Sequence, residues 1–151
     1  MLKYTLVPTA LFNEDKAAEY LSSIVFIEKT DTVKNIELPS FKAVLVYSGD
    51  EGSAIALSEL VSTVSSLSAY NKVLASLNSD SVDIIIAAGD RLLLCNSYPA
   101  TDRTTAQYFI LAALKQFQIN PEVTALHLCG ETDETVQEEL MRYFSSVDYL
   151  Q

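Results

Sequence analysis

Few residue combinations in this chain could do chemistry, and most are compromised by their neighbours. Gly49-Asp50-Glu51-Gly52 follows an apolar run and precedes a helical pattern, where a phosphate loop would sit, but its two acids repel an anion and it reads as a plain turn. No GxxxxGK[ST] loop is present, and the 4 glycines (Gly49, Gly52, Gly89, Gly130) form no dinucleotide fingerprint. His127, the only histidine, alternates with Leu126 and Leu128 and has no cysteine or histidine at ligand spacing, so it reads as a sheet side chain, not a metal ligand. Cys95 and Cys129 lie in apolar runs, where a free cysteine behaves as a small buried hydrophobe. Arg91 is the one cation near Cys95 that could lower its pKa, and only if strict alternation puts both on one face. No spacing supports a Ser-His-Asp or Cys-His arrangement. The acids from Glu131 to Glu139, including Asp133, Glu134 and Glu138, read as a solvated helix face or, alternatively, as a dock for a basic partner.

Composition narrows the function classes further. The chain has 151 residues and 49% hydrophobic content, enough for a packed core in one domain or two small ones. Lys and Arg number 10 against 20 Asp and Glu, a net charge of -10. That charge repels phosphate backbones and anionic lipid heads, and no local basic patch offsets it, so neither nucleic acid nor a membrane surface is expected as a partner. The apolar runs, such as VDIIIAA, are far shorter than a bilayer span, and MLKYTLVPTALF lacks the layout of a cleavable signal. A soluble, cytoplasmic protein is the expectation. Two cysteines in strand-like runs imply no disulfide framework.

The elements that must position any site follow from periodicity and punctuation. Lys3 to Pro8 reads as a short strand ended by proline. Asn13 caps a helix whose face is Ala17, Tyr20, Leu21 and Ile24, and the β-branched content of Ile24 to Glu28 favours a strand after it. IELP is a loop or edge strand stopped at Pro39, Lys42 to Tyr47 a buried strand, and Ser53 to about Val64 a helix. The serine-rich stretch 62 to 68 marks the boundary between two packed lobes. After it come three runs, KVLASLN, VDIIIAA and RLLLCNSYPA, joined by Asn78-Ser79-Asp80-Ser81 and Gly89-Asp90. Connections this short allow only antiparallel hairpins, so the three strands meander. Thr101 or Asp102 caps a helix with the stripe Ala106, Phe109, Ile110, Ala113, Leu114 and Phe117. Asn120-Pro121 ends it, and Val123 to Cys129 is a strand reached by a crossover. Thr132 or Asp133 opens a last helix with Val136, Leu140, Met141 and Phe144 on one side, and Val147 to Leu150 closes with a short strand.

Three meandering strands, a helix, a strand, a helix and a last strand resemble the ribonuclease-H-like topology, two lobes of which flank the nucleotide cleft of actin-like ATPases. YTLVPTALF, RLLLCNSYPATDRTTAQYFILAAL and LHLCGE are similar to a Bacteroidetes family, the domain of unknown function numbered 3822, assigned to that fold. The C-terminal lobe also resembles, at lower similarity, the actin-like parts of type IV pilus and type II secretion assembly proteins. The resemblance implies an α/β protein with a mixed sheet of order 3-2-1-4-5 in a complete second lobe (67–151), plus a partial first lobe (1–66). A full first lobe begins with its own meander and helix, whereas KYTLVP resembles the strand after them. The edge this leaves open favours dimerisation or swapping. With that sheet order two strands separate Cys95 from Cys129, at about 4.8 Å per step, so they cannot be bridged.

The resemblance also assigns the loops a role to be tested. An actin-like ATPase holds phosphates on backbone amides of the hairpin between its first two strands, here Asn78-Ser79-Asp80-Ser81. Asn78 and Ser79 could form the turn and Asp80 could reach a metal through water, but no glycine lets a phosphate approach the backbone. The fold tends to place a Gly-Gly pair after its fourth strand, against the adenosine; this chain has Gly130 followed by Glu131, which crowds and repels a nucleotide. The expectation is therefore a scaffold or protein-interaction module, homo-oligomeric or bound to a protein partner, with degenerate ATPase loops and no cofactor. The alternative is a Mg-ATP-binding ATPase using Asn78, Ser79, Asp80 and Gly130, its cleft completed by a further segment or a second protomer.

Overall fold

The computed structural model describes residues 2–131 and 134–150. The chain divides into two compact units, Met1–Ser65 and Ser66–Gln151.

The N-terminal unit begins with β1 (Lys3–Pro8), whose proline passes directly into a 3-10 turn over Thr9–Leu11. Asn13 then accepts the Asp15 N–H at 3.0 Å and opens a 3-10 turn that runs into α1 (Ala17–Ser22). The expected strand over Ile24 to Glu28 does not form. The Ile24 and Val25 amides both fold back onto the Leu21 carbonyl, so α1 ends in a turn and Ile24 leaves the apolar face. Further on, the Asp31 carboxylate accepts the Glu28 N–H at 2.8 Å and the Lys3 ammonium at 3.4 Å, tying this loop to the start of β1.

β2 (Lys34–Leu38) ends at Pro39, and β3 (Ala43–Ser48), all six of whose residues are buried, pairs antiparallel with both β2 and β1 in the order β1-β3-β2. Val7, Val44 and Val46 on one face meet Ala17 and Leu21 of α1. α2 (Glu51–Ser65) starts earlier than periodicity predicts because Asp50 caps it, and it lies against β2.

The C-terminal unit is built on β4 (Asn71–Leu77), β5 (Ser81–Ala88) and β6 (Arg91–Pro99), the expected meander. Gly89, at φ 60° in the β5–β6 turn, donates its N–H to the Tyr70 carbonyl at 2.9 Å. α3 (Arg103–Gln116) crosses to β7 (Ala125–Gly130), which pairs parallel with β4; α4 (Glu134–Leu140) leads to β8 (Ser146–Tyr149), parallel to β7. The sheet order β6-β5-β4-β7-β8 is therefore 3-2-1-4-5. Asn120 caps a 3-10 turn over Pro121–Val123, so Val123 is exposed and β7 starts two residues later than expected.

One sheet face carries the larger cluster, and on the other Leu74 and Ile85 are fully buried too. Val73, Ile84, Ile86, Leu126 and Leu128 pack against Ile110 and Leu114 of α3 and Leu140 of α4, with Phe144 beyond it. Each such aliphatic side chain contributes about 1.5–3 kcal/mol on burial. Tyr98 stacks on Phe109 with centroids 4.7 Å apart. Met141, expected on the buried side of the last helix, is exposed because α4 stops at Leu140 and the chain turns away. The expected caps of that helix, Thr132 and Asp133, lie outside the described residues.

Candidate functional site

β4 and β7 run parallel and end together, with Leu77 opposite Gly130 as their last pair. Parallel strands that stop side by side gather whatever follows them at one end of the sheet, so the structure brings Asn78, Ser79, Asp80 and Gly130 to one place. The amino terminus of α3 arrives there too, because β6 ends at Pro99 and the Ala100 N–H donates to the Asp80 carbonyl at 3.0 Å.

The conformations at this end are fixed by internal bonds. The Asn78 N–H donates to the Ser81 carbonyl at 2.9 Å. The Asn78 side-chain amide donates at 3.2 Å both to Ser81 Oγ and to Asp83 Oδ2, while Ser97 Oγ donates to Asp83 Oδ1. The Ser79 and Asp80 side chains are exposed on the turn. Gly130 has φ 84°, and a Cβ added to it would lie 2.2 Å from the Leu77 carbonyl oxygen. The Glu131 N–H then donates to that same oxygen at 2.6 Å. Gly130 is thus explained by its own fold: only glycine lets the chain leaving β7 close over the end of β4.

Acids outnumber bases at this end, where Asp102 and Glu131 lie beside Arg103. The Asp102 carboxylate occupies the amino terminus of α3, accepting the Thr105 N–H at 2.8 Å and the Thr105 hydroxyl at 3.0 Å. Those bonds, the backbone one foremost, hold its carboxyl below the ordinary aspartate range. A helix end that could have faced an anion is filled by the chain's own. Between the strand ends and α3 lies a cavity of about 110 Å³, bordered by Leu77, Asn78, Asp102, Arg103, Gln107 and Glu131. Pockets that take nucleotide-sized ligands run from about 300 Å³ upward. Arg103 is the one basic residue among those lining it.

The other candidates separate. Asp50 does at α2 what Asp102 does at α3: it accepts the Ser53 N–H at 2.8 Å and the Ser53 hydroxyl at 2.9 Å, which lowers its pKa and closes the Gly49–Gly52 turn to anions. Cys95 and Arg91 lie on opposite faces, because Leu93 is an extra residue in β6, with Leu92 opposite Ala87 and Leu94 opposite Ile86. Neither cysteine is in a disulfide, and β5 and β4 separate their strands, as expected. Burial pushes the Cys129 thiol up, away from the reactive thiolate. His127 lies in register with Leu74 and Asp148, and its Nδ1 is buried with no hydrogen-bond partner among the described residues. No group of three His, Cys, Asp or Glu side chains able to hold a metal occurs among those residues. Glu134 and Glu138 are solvated, whereas Glu139 is half-buried and accepts from the Gln107 side chain. Asp133 lies outside the described residues.

Sequence reasoning missed Asp83. It is the one charged residue in the VDIIIAA run, and an acid held in an otherwise apolar strand was the available signal. Its bonds to Asn78 and Ser97 make it the organiser of the β4–β5 turn.

A protein family of unknown function, DUF3822, matches residues 2–64 and 51–147 of this chain. The chain belongs to the DUF3822 family. Among solved structures, this DUF3822 chain is similar to a Bacteroides thetaiotaomicron protein with an actin-like ATPase fold and unknown function. The TM-score is 0.80 at 24% identity, and the match covers 98% of this chain and 65% of the other. The fold is accordingly the actin-like ATPase fold, and this chain spans about 65% of the length of that relative. No curated protein matches the chain. Among the described residues no helix is long and apolar enough to cross a membrane.

Proposed function

We propose that this chain is a non-catalytic member of the actin-like fold, a cytoplasmic scaffold or interaction module that works through protein contacts, its own copies included, without a bound nucleotide. The observation that carries this reading is the closure of the strand ends where the resemblance places phosphates. Gly130 packs onto Leu77, Asp102 fills the α3 terminus, and a cavity of about 110 Å³ remains. The acidic net charge of -10 supports protein contacts over nucleic acid or anionic lipid.

Hydrogen exchange of the loop tests this reading. The amides of Asn78 to Ser81 are expected to exchange at the same rate with and without millimolar Mg-ATP, in the natural chain and in Asp80→Ala alike. Protection by Mg-ATP that Asp80→Ala removes would replace the scaffold with a nucleotide-binding protein.

A further inference from the structure

We propose that the loop carrying Ile24 and Phe26 seats in the cleft between Pro8 and Pro39 of a second copy of this chain, joining copies head to tail. The inference rests on the interaction-module reading and names its partner.

The loop holds apolar side chains out in water. Past α1 the residues alternate: Val25 and Ile27 pack against the cluster of Val7, Val44 and Leu21, while Ile24 is 63% and Phe26 78% exposed. These two inward anchors, and the Glu28 N–H held by the Asp31 carboxylate, fix the loop before any partner arrives. A knob ordered in advance loses little freedom on docking. The Phe26 ring centroid lies 5.9 Å from Lys3 Nζ, which puts the knob beside the start of β1.

The cleft is at the other end of the same sheet. Pro8 ends β1 and Pro39 follows β2, and each passes into a 3-10 turn instead of extending a strand. The Thr9 N–H donates to the Lys42 carbonyl at 2.9 Å and ties the two turns together. They border an open cleft of about 620 Å³, lined by Pro8, Ala10, Pro39 and Ala43, with Glu37 and Lys42. That volume is within the range of about 300–1,000 Å³ in which pockets take ligands, and the apolar part of the lining suits an aromatic ring. Glu28 and Lys29 follow the knob, so each side of the contact offers one acid and one base to the other. All four charged residues are exposed, and none is in an ion pair among the described residues. The net charge of -10 opposes association, but salt at about 0.15 M screens it beyond about 8 Å.

One ladder joins the two ends, with Lys3 paired to Ser48 and Pro8 to Ala43. Five residue steps of about 3.4 Å set them about 17 Å apart. A feature at one end that fits a different feature at the other makes a heterologous contact, which adds copies in series.

Sedimentation equilibrium of the full chain at about 0.15 M salt tests the proposal, with circular dichroism of each variant to show that it folds. The average mass is expected to rise with concentration past two copies. Phe26→Asp removes the knob and Ala10→Glu puts a charge in the cleft, both at exposed positions; each should raise the dissociation constant about tenfold or more. A mixture of the two variants keeps one intact knob and one intact cleft, so it should associate and stop at two copies. A mass that saturates at two copies for the natural chain, association indifferent to Phe26→Asp, or a mixture that stays monomeric would overturn the proposal. A strict monomer would overturn it too, and would leave the interaction-module reading with a different protein as partner. Nucleotide binding is not read in this experiment, so that reading stands or falls separately.

Discussion

The two units of this chain are held by different kinds of interaction. In the N-terminal unit Val7, Ala17, Leu21, Val44 and Val46 form a small cluster under a six-residue helix, apart from the buried residues of β3 and α2 such as Leu45, Leu57 and Val61, and the chain around that cluster leans on local bonds such as those of Asp31 and Asn13. The C-terminal unit buries seventeen residues in one cluster between a five-stranded sheet and two helices. A small cluster cannot set the path of the chain around it by burial alone, so side-chain to backbone bonds set it there; a large cluster needs such bonds only at its ends. The difference teaches where each unit is vulnerable.

The largest expected effect is at the strand ends of the C-terminal unit. Gly130→Ala forces a Cβ onto the Leu77 carbonyl at positive φ and should destabilise that unit by about 3 kcal/mol or more, read from its urea midpoint. A change under about 1 kcal/mol would mean that β7 is free to leave β4 and that the unit is looser than its core suggests. Core truncations come next. Ile110→Ala should cost about 2–5 kcal/mol, and Leu21→Ala an amount near the lower end of that range, because half-exposed Phe12, Tyr20 and Val25 can collapse into the space. The reverse ranking would contradict the comparison.

Native-state hydrogen exchange sharpens the same contrast without mutation. Amides of β4 and β5, the inner part of the larger sheet, should exchange about tenfold or more slowly than those of β1 and β2. The smallest expected effect is on pH dependence. Hydrogen bonds hold the Asp50 and Asp102 carboxyls below their ordinary values, so the stability these caps supply is present above the ordinary aspartate range and is lost as pH falls through the lowered values. Asp50→Asn and Asp102→Asn keep an acceptor but remove the charge, and should flatten the acid limb of a thermal-midpoint profile. An unchanged acid limb would show that the caps contribute no charge-dependent stability.

Legibility in the sequence follows the same division. The meander and α3 could be read from VDIIIAA, the short Gly89-Asp90 connection and the stripe from Ala106 to Phe117, because a large core imposes its period on the chain, whereas the 3-2-1-4-5 order was legible only through the family resemblance. Ile24 to Glu28 could not, because β-branched content does not show that the Leu21 carbonyl will capture two amides and end α1 in a turn. The candidate site was legible in place but not in detail. Asn78 to Asp80 and Gly130 converge as the fold requires, yet nothing in the residue order indicates Gly130 against Leu77, Asp102 across the helix terminus, or Asp83 holding Asn78. The Leu93 bulge, which separates Arg91 from Cys95, left no mark in the alternation of RLLLC.

The most direct measurement of the central claim is a thermal-shift titration of the full chain with Mg-ATP and Mg-ADP. A ligand that binds only the folded state stabilises it by about 2.7 kcal/mol at a hundredfold excess over its dissociation constant, a shift of several degrees for units of this size. The account predicts that the midpoint does not move at millimolar nucleotide. A saturable rise of several degrees would show that the closed strand ends open to a nucleotide, and would contradict it.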